Sequence, residues 1–211
     1  MQLIGMLDSP YVRRVAISLQ LLGLPFSHQS ISVFRGFDQF REINPLVKAP
    51  SLVCDDGVVL MDSILILEYA EAQPHKRRSL VPTDLASLQQ SLRIIGLAMT
   101  ACEKSVQIVY EHNLRPAEKL HQPWLTRISG QVQSAYDALE HELAKRPLQV
   151  SSNSIDQATL SAAVAWQFSM QTIPEVIDAA AYPTLAALSQ AAEALPEFIA
   201  APYGDSTYRQ S

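Results

Sequence analysis

The chain has 211 residues, of which 48% are hydrophobic and 18% charged, a composition typical of a globular protein with one large domain or two modest ones. Its net charge of −5 argues against a broad nucleic-acid-binding surface, because such a surface needs a basic excess on one face. The basic cluster at residues 75–78 is interpreted as a solvated segment between structural elements rather than as a site for a polyanion.

The sequence carries no pattern typical of targeting or metal binding. No window approaches the ~18 uninterrupted apolar residues of a membrane span, and the first residues lack a basic leader followed by a long apolar core. The two cysteines, Cys54 and Cys102, form no CxxC or metal-ligand pattern, and the five histidines are scattered. We therefore expect a cytoplasmic protein without disulfides, membrane association or bound metal.

The first third of the chain alternates between strand and helix patterns. Ser9 is predicted to be the N-cap of a helix, with Pro10 at the first helical position, where its missing N–H costs nothing. Two short apolar runs flank Asp55-Asp56-Gly57, which predicts a tight antiparallel hairpin. The predicted strands are residues 2–6, 25–32, 51–54 and 58–61, and the predicted helical segments are residues 10–22, 38–43 and 64–71. This order indicates a compact α/β or α+β domain with one mixed sheet.

Residues 44–63 combine a proline-ended loop, the hairpin and the start of a helix. Pro50 removes a backbone donor and favours an extended conformation at Ala49. Either Asp62 or Ser63 is suited to cap the following helix. Because the first N–H groups of a helix can bind an anion, this stretch is the expected centre of the binding chemistry.

Beyond the proline-containing and basic residues 73–82, strand patterns disappear and only helix patterns remain. Residues 85–113 predict one long helix, and Pro123 is predicted to start a second helix that ends at Pro147. The predicted apolar faces are Leu85, Leu88, Leu92, Ile95, Met99, Cys102, Val106 and Val109 in the first helix, and Leu125, Ile128, Val132, Tyr136, Leu139 and Leu143 in the second.

Asn153 is predicted to cap a central buried helix over residues 158–170, with Asp156 as the acid of a capping box. Shorter helices are predicted over residues 184–194 and 195–199. We expect a sheet-containing domain over residues 1–79, a linker over residues 80–84 and an all-α domain over residues 85–211.

Several short motifs occur in an order and spacing that are specific for one protein family. They are residues 9–15 (Ser-Pro-Tyr-Val-Arg-Arg-Val), Asn44-Pro45, residues 48–52 (Lys-Ala-Pro-Ser-Leu), residues 55–57 (Asp-Asp-Gly), Asp62-Ser63, Glu68-Tyr69, residues 153–156 and residues 182–185 (Tyr-Pro-Thr-Leu). On these motifs the chain resembles the cytosolic glutathione transferases over essentially its full length, and its opening is similar to a bacterial subgroup of serine-type members. The resemblance implies a thioredoxin-like N-terminal domain with a mixed four-stranded sheet, an all-helical C-terminal bundle, and a homodimer.

The resemblance also implies how glutathione, the expected co-substrate, is held. The backbone of Ala49, before a cis bond to Pro50, pairs with the cysteinyl part. Asp62 and Ser63 match positions that hold the γ-glutamyl carboxylate at a helix N-terminus. Lys48 matches a position that often reaches the glycyl carboxylate.

Ser9 matches the catalytic serine of the family, whose hydroxyl donates a hydrogen bond to the glutathione sulfur and favours the thiolate. The residues alone leave helix capping open for Ser9 and for Asp62-Ser63. Arg13 and Arg14 are interpreted as surface or interdomain ion-pair residues, and Cys54 as a buried small hydrophobe. Candidates for the electrophile pocket are Tyr11, Met99, Cys102, Val106 and Tyr110, for which packing in a helix core or a dimer contact is the alternative.

The resemblance implies a detoxification-type enzyme that adds glutathione to a small hydrophobic electrophile by displacement or conjugate addition. Two alternatives stay open. The same site would serve a glutathione-dependent isomerase, dehalogenase or peroxidase, and a non-catalytic glutathione-binding or regulatory module would keep the fold without the chemistry.

Overall fold

The computed structural model describes residues 1–145 and 148–208, which form two compact units. One unit contains Met1–Val81 together with residues 194–208, and the other contains Pro82–Glu193. Residues 194–208 lie in the range 85–211 that was expected to form the all-α domain. By their contacts they belong to the sheet-containing unit. The sequence pattern marks where helices begin, but it does not reveal which unit a terminal helix packs against.

The sheet of the first unit has four strands in the order β2-β1-β3-β4. The strands are β1 (Gln2–Ile4), β2 (Ser27–Gln29), β3 (Ser51–Val53) and β4 (Val59–Met61). β1 runs parallel to β2 and antiparallel to β3, and β3 and β4 form the predicted antiparallel hairpin. The expected mixed four-stranded sheet is confirmed, with strands shorter than the apolar runs suggested.

The helices follow the predicted order. They are α1 (Pro10–Leu22), α2 (Phe37–Ile43), α3 (Ser63–Ala72), α4 (Leu85–Leu114), α5 (Gln122–Lys145), α6 (Gln157–Thr172), α7 (Pro183–Glu193) and α8 (Pro196–Ala200), with 3-10 turns at Ala117–Lys119, Pro174–Val176 and Ala179–Ala181. Ser9 caps α1 and Pro10 is its first residue, as predicted, and Gly23 closes the helix in a left-handed conformation. The predicted stop at Pro147 lies outside the described residues.

The first unit packs both faces of its sheet. Helix α1 is buried along nearly its whole length because it contacts α3, β1 and α8. A cluster of Ile4, Ile31 and Phe40 lies on the α2 side of β1, and Ala49 is among the half-buried residues that pack against it. The loop around Pro50 is therefore held by the core of this unit.

The second unit contains α4 to α7, and the apolar face that the sequence predicted for α4 is not the face that this unit buries. The large apolar residues Leu85 and Leu92 are 81% and 57% exposed, and Cys102 alone of the predicted face is buried in this fully described helix. Helices α5 and α6 both pack against α4. They approach it over small side chains, which let helix axes come close but carry little hydrophobic signal. The buried residues are Ser91, Ile94, Ala98, Ala101, Cys102, Ser105, Ile108 and Glu111.

Helix α6 is buried along most of its length, which confirms the predicted central helix, but its cap is different. Asp156, not Asn153, is the N-cap, because the Asp156 carboxylate accepts from both the Thr159 amide at 2.8 Å and the Thr159 hydroxyl at 2.7 Å. A carboxylate held by two donors is a stronger cap than the single bond that an Asn side chain accepts.

Candidate functional site

Ser9 lies at the end of the turn that joins β1 to α1. Its backbone is extended, and its Oγ accepts a hydrogen bond from the Val12 amide at 3.4 Å. Helix capping, the alternative that the sequence left open, is therefore present. The Val12 amide uses only a lone pair of the Ser9 hydroxyl. The hydroxyl hydrogen can therefore donate to an acceptor outside the helix, which would lie at the positive end of the α1 dipole.

The turn before Ser9 is fixed by close packing at Gly5, which has a φ of +132°. A Cβ placed on Gly5 would lie 2.7 Å from Val12 Cγ2 and 3.1 Å from Ala49 Cβ. Gly5 thus lets the start of α1 and the loop that carries Ala49 come together at the end of β1. This close approach brings the Ser9 turn and Ala49 to one edge of the sheet.

Replacing Gly5 with alanine is expected to lower the free energy of unfolding of the protein by about 1–3 kcal/mol, since the new methyl group meets a branched side chain in a packed region. The comparison variant is Gly57→Ala, where φ is +85° but no atom lies within 4 Å of the added Cβ. Both variants place alanine at a positive φ, but only Gly5→Ala adds steric overlap. The difference between their free energies of unfolding in urea therefore reports the overlap. An equal loss of stability in the two would contradict the packing role of Gly5.

The loop from Asn44 to Pro50 is braced by its own polar side chains. Asn44 Nδ2 donates to Ser51 Oγ at 2.8 Å, and Ser51 Oγ donates to the Lys48 carbonyl at 2.8 Å. Asn44 Oδ1 accepts from the Leu46 amide at 3.0 Å. The Ala49–Pro50 bond is cis, as the resemblance implied. Asn44 therefore supports the loop that carries Lys48 and Ala49, a role that its place in the Asn44-Pro45 motif did not indicate.

Asp62 is the N-cap of α3 and has a φ of +70°, which is unusual for a residue other than glycine. Its carboxylate accepts from the Ile64 amide at 3.0 Å and from Lys48 Nζ at 3.2 Å. Burial on its own would raise the pKa of the Asp62 carboxyl. The hydrogen bonds from Ile64 and Lys48, with the nearby charges of Lys48 and Arg14, outweigh burial and hold that pKa below its usual value. The structure thus brings two predicted ligand residues, Lys48 and Asp62, into contact.

Ser63, the first residue of α3, is 3% exposed and accepts a hydrogen bond from Arg14 Nη1 at 3.2 Å. The interpretation of Arg13 and Arg14 as surface residues is wrong, since they are 1% and 2% exposed. Arg13 Nε donates to the Ala201 carbonyl at 2.8 Å. Both arginines lie on α1, which is covered by α3 and α8. Because a buried charge needs polar partners, each guanidinium donates to a buried oxygen.

Arg14 is a further candidate for the site, to which the sequence analysis gave no binding role. It places a buried positive charge beside Ser63 and lowers the pKa of Asp62, although burial is the larger influence on that carboxyl and acts in the opposite direction. The sequence offers one signal, because two consecutive arginines inside an otherwise apolar helix need buried partners on at least one side.

The candidates for the electrophile pocket differ in exposure. Cys102 is fully buried in the second unit, in agreement with the alternative that placed it in a helix core. Tyr11, Met99 and Val106 are half-buried, and Tyr110 is exposed. Tyr110 lines an open cavity of about 490 Å³ in the second unit, with Gln107, Glu111, Leu114, Arg115, Pro116, Lys119 and Trp124.

This cavity is bordered by a buried carboxylate. Glu111 accepts from the His121 amide at 3.2 Å and pairs with Arg115 Nε at 2.8 Å. The hydrogen bond from the His121 backbone, opposed by burial and helped by Arg115, lowers the pKa of the Glu111 carboxyl. These contacts tie the end of α4 to the segment that leads into α5.

The described part of the chain offers neither a cluster of metal ligands nor a helix that could span a membrane. Residues 1–145 and 148–208 contain no group of three or more His, Cys, Asp or Glu side chains arranged to hold a metal ion. Among the helices within these ranges, none has the length and apolar character needed to cross a membrane.

Comparison with known proteins gives consistent results for both parts of the chain. Residues 3–78 match the family model of the glutathione S-transferase N-terminal domain. The GST-like protein YibF of Escherichia coli K12 is 28% identical over 165 residues, which cover 78% of this chain and 80% of that protein.

Solved structures of glutathione transferases match over the full chain, and two of them illustrate the similarity. A glutathione transferase family member from Pseudomonas fluorescens Pf-5, with bound S-(propanoic acid)-glutathione, has a TM-score of 0.78 and 28% identity, covering 100% of both chains. A glutathione S-transferase from Methylobacterium radiotolerans, in complex with glutathione sulfonate, has a TM-score of 0.86 and 27% identity, covering 100% of this chain and 98% of that one. With its mixed sheet, its helical C-terminal region and these relatives, the chain belongs to the cytosolic glutathione transferase superfamily.

Proposed function

We propose that this protein is a serine-type glutathione transferase that activates glutathione as a thiolate and adds it to a small hydrophobic electrophile. The observation that carries the proposal is the geometry of Ser9. Its Oγ accepts from the Val12 amide, so its O–H is left to donate to a sulfur atom at the N-terminus of α1. The related structures with glutathione derivatives support glutathione as the ligand.

Three groups of the first unit are assigned to the peptide. The backbone of Ala49 pairs with the cysteinyl part, and Lys48 reaches the glycyl carboxylate. The γ-glutamyl carboxylate is held by Ser63 and the first amides of α3, next to Asp62. Because Ser63 Oγ already accepts from Arg14, its own hydrogen is free to donate to that carboxylate.

The chemistry requires a thiolate near neutral pH from a thiol whose ordinary pKa is about 8.5. A hydroxyl donor and the positive end of a helix dipole both favour the anion. The thiolate then forms a C–S bond with the electrophile. In displacement the leaving group departs with the bonding electron pair, and in conjugate addition the neighbouring carbon takes a proton from solvent.

The acceptor side of the site is assigned to residues outside the glutathione-binding loops. The accessible candidates are Tyr11 in the first unit and Met99, Val106 and Tyr110 in the second, whereas Cys102 is fully buried inside the second unit and serves as core packing there. Their apolar and aromatic side chains suit a small hydrophobic electrophile.

The proposal includes a cytoplasmic homodimer. Large apolar side chains that the fold leaves exposed support a dimer, because such surface is normally covered in a partner interface. Leu65 on α3 is 58% exposed, and Leu85 and Leu92 on α4 are exposed to a similar or greater degree.

Retention on immobilised glutathione, followed by the ultraviolet absorbance of the thiolate in the complex at pH 7, tests this function. We expect retention, elution by free glutathione, a thiolate signal and turnover with a generic aryl halide. Binding without thiolate or turnover would favour the non-catalytic module. No retention at all would overturn the proposal.

A further inference from the structure

His28 on β2 makes hydrogen bonds with both of its ring nitrogens. Nε2 lies 2.7 Å from the Gly5 carbonyl oxygen, and Nδ1 accepts from the Tyr208 amide at 2.9 Å. A carbonyl oxygen can only accept, and a backbone N–H can only donate. His28 is therefore neutral, with its hydrogen on Nε2.

The Tyr208 contact is the last of several that hold the segment of residues 201–208 on the first unit. Arg13 Nε donates to the Ala201 carbonyl at 2.8 Å, and Ser30 Oγ donates to the Asp205 carbonyl at 2.9 Å. The Tyr208 ring stacks on Phe26 with ring centroids 4.5 Å apart. The segment thus runs from the start of α1 to the edge strand β2.

Two side chains of this segment, Tyr203 and Asp205, interact electrostatically with the turn that carries Ser9. The pKa of the Asp8 carboxyl, directly before Ser9, is raised mainly by burial, and the charge of Asp205 adds to that effect. Burial likewise raises the pKa of the Tyr203 phenol, with Asp8 and Arg13 as its charged neighbours. Asp205 and Tyr203 therefore lie within electrostatic reach of the turn.

We propose that residues 201–208 form a strap beside the Ser9 turn, and that neutral His28 latches its end so that protonation of His28 releases it. Protonation places a hydrogen on Nδ1, which then faces the Tyr208 N–H, and two donors cannot share a bond. The Nε2–H bond to Gly5 persists in both states. Protonation therefore changes only the hold on the strap. Release of the strap does not depend on what Ser9 does, but any effect of that release on turnover rests on the proposed function of Ser9.

The direction of the pH dependence follows from burial. Burial lowers the pKa of His28 below its ordinary 6.5, and the hydrogen bond to the Gly5 carbonyl opposes this only in part. Because the unfolded chain protonates first as the pH falls, the latch is intact above pH 6.5 and is lost as the pH falls through the folded pKa. The other titratable or charged groups nearby are Tyr203, Asp205 and Tyr208 on the strap, Asp8 on the turn, Tyr11, Arg13 and Arg14 on α1, and Arg35 in residues 30–36 after β2.

Nitrogen-15 NMR of the ligand-free protein tests the latch without any assumption about catalysis. At pH 7.5 we expect a protonated Nε2 and an unprotonated Nδ1 on His28, and a rigid Tyr208 amide with an order parameter of about 0.85. As His28 titrates, the Tyr208 order parameter should fall below about 0.6. An Nδ1–H tautomer, or a Tyr208 amide that stays rigid through the titration, would overturn the proposal.

Two variants and a control complete the test. His28→Gln keeps a donor and an acceptor without titrating, so its strap should stay rigid from pH 7.5 to 5. His28→Ala should leave the strap mobile at every pH. In the control His75→Gln, which replaces an exposed histidine, the Tyr208 amide should respond to pH as it does in the wild type.

A kinetic measurement tests the link between the strap and the site. At a pH below the midpoint of the His28 titration seen by NMR, the wild type and His28→Gln should differ at least twofold in KM for the electrophile. If NMR confirms the latch but the two KM values are equal, the link to the site is overturned and the latch is not.

Discussion

Replacing Ser9 with alanine should lower kcat/KM for glutathione conjugation by about a hundredfold, the usual loss when one preorganised donor to a developing anion is removed. Glutathione affinity should change little, because Ala49, Ser63 and Lys48 hold the rest of the peptide in the proposed site. Steady-state kinetics with an aryl halide, together with calorimetric titration of glutathione, measure the two effects separately.

Ser9→Ala also removes the cap of α1, so two further variants are needed to separate the roles. Ser9→Asp keeps an oxygen that accepts from the Val12 amide but has no hydrogen to donate at neutral pH. It should fold with near wild-type stability and be at least as inactive as Ser9→Ala. Ser9→Thr keeps both functions and should keep most of the activity. Full activity of Ser9→Asp would reduce Ser9 to a helix cap.

Replacing Arg14 with methionine should raise the glutathione Kd by about tenfold to a hundredfold, since hydrogen bonds that involve a charged group contribute about 1.5–3 kcal/mol. Arg14 holds Ser63 Oγ at 3.2 Å and places a buried positive charge where the γ-glutamyl carboxylate is proposed to bind. Methionine fills similar space without charge, but removing one partner of a buried polar contact also lowers the free energy of unfolding, by about 1–3 kcal/mol. Urea denaturation should show that loss of stability, and titration of the folded variant with glutathione should show the loss of affinity separately.

Arg13→Met is the matched control, because Arg13 is the neighbouring residue and is equally buried. It donates to the Ala201 carbonyl instead of Ser63, so its replacement should leave the glutathione Kd within about threefold. Arg14→Lys keeps the charge without the planar donor group and should fall between wild type and Arg14→Met. An unchanged Kd for Arg14→Met would remove Arg14 from the site.

Local patterns predicted much of the first unit. Ser9, Pro10 and Gly23 bound α1 because a cap, a fixed φ and a left-handed residue act within one turn of the chain. The hairpin around Gly57 follows from the same kind of local chemistry. The apolar stripe of α5 is correct for a related reason, because its large side chains at helical spacing are the ones that face the core.

The same reasoning failed where burial depends on which element packs opposite. On α4 the small residues Ala98 and Ala101 face the core and Leu85 and Leu92 do not, because α5 and α6 approach over the small ones. The sequence interpretation of Arg13 and Arg14 as surface or interdomain ion-pair residues followed from the usual exposure or pairing of charged side chains. Their burial depends on partners at Ala201 and Ser63, which are distant in sequence.

The sequence by itself determined the order of the elements, the capped start of α1, the hairpin and the motifs that identified the superfamily, because each depends on residues close together in the chain. Only the tertiary structure decided that Gly5 brings the Ser9 turn to Ala49, that Arg14 supports Ser63 and that His28 holds the strap at Tyr208. These contacts join residues far apart in sequence, where side-chain chemistry indicates what a group can bind but not which group it meets.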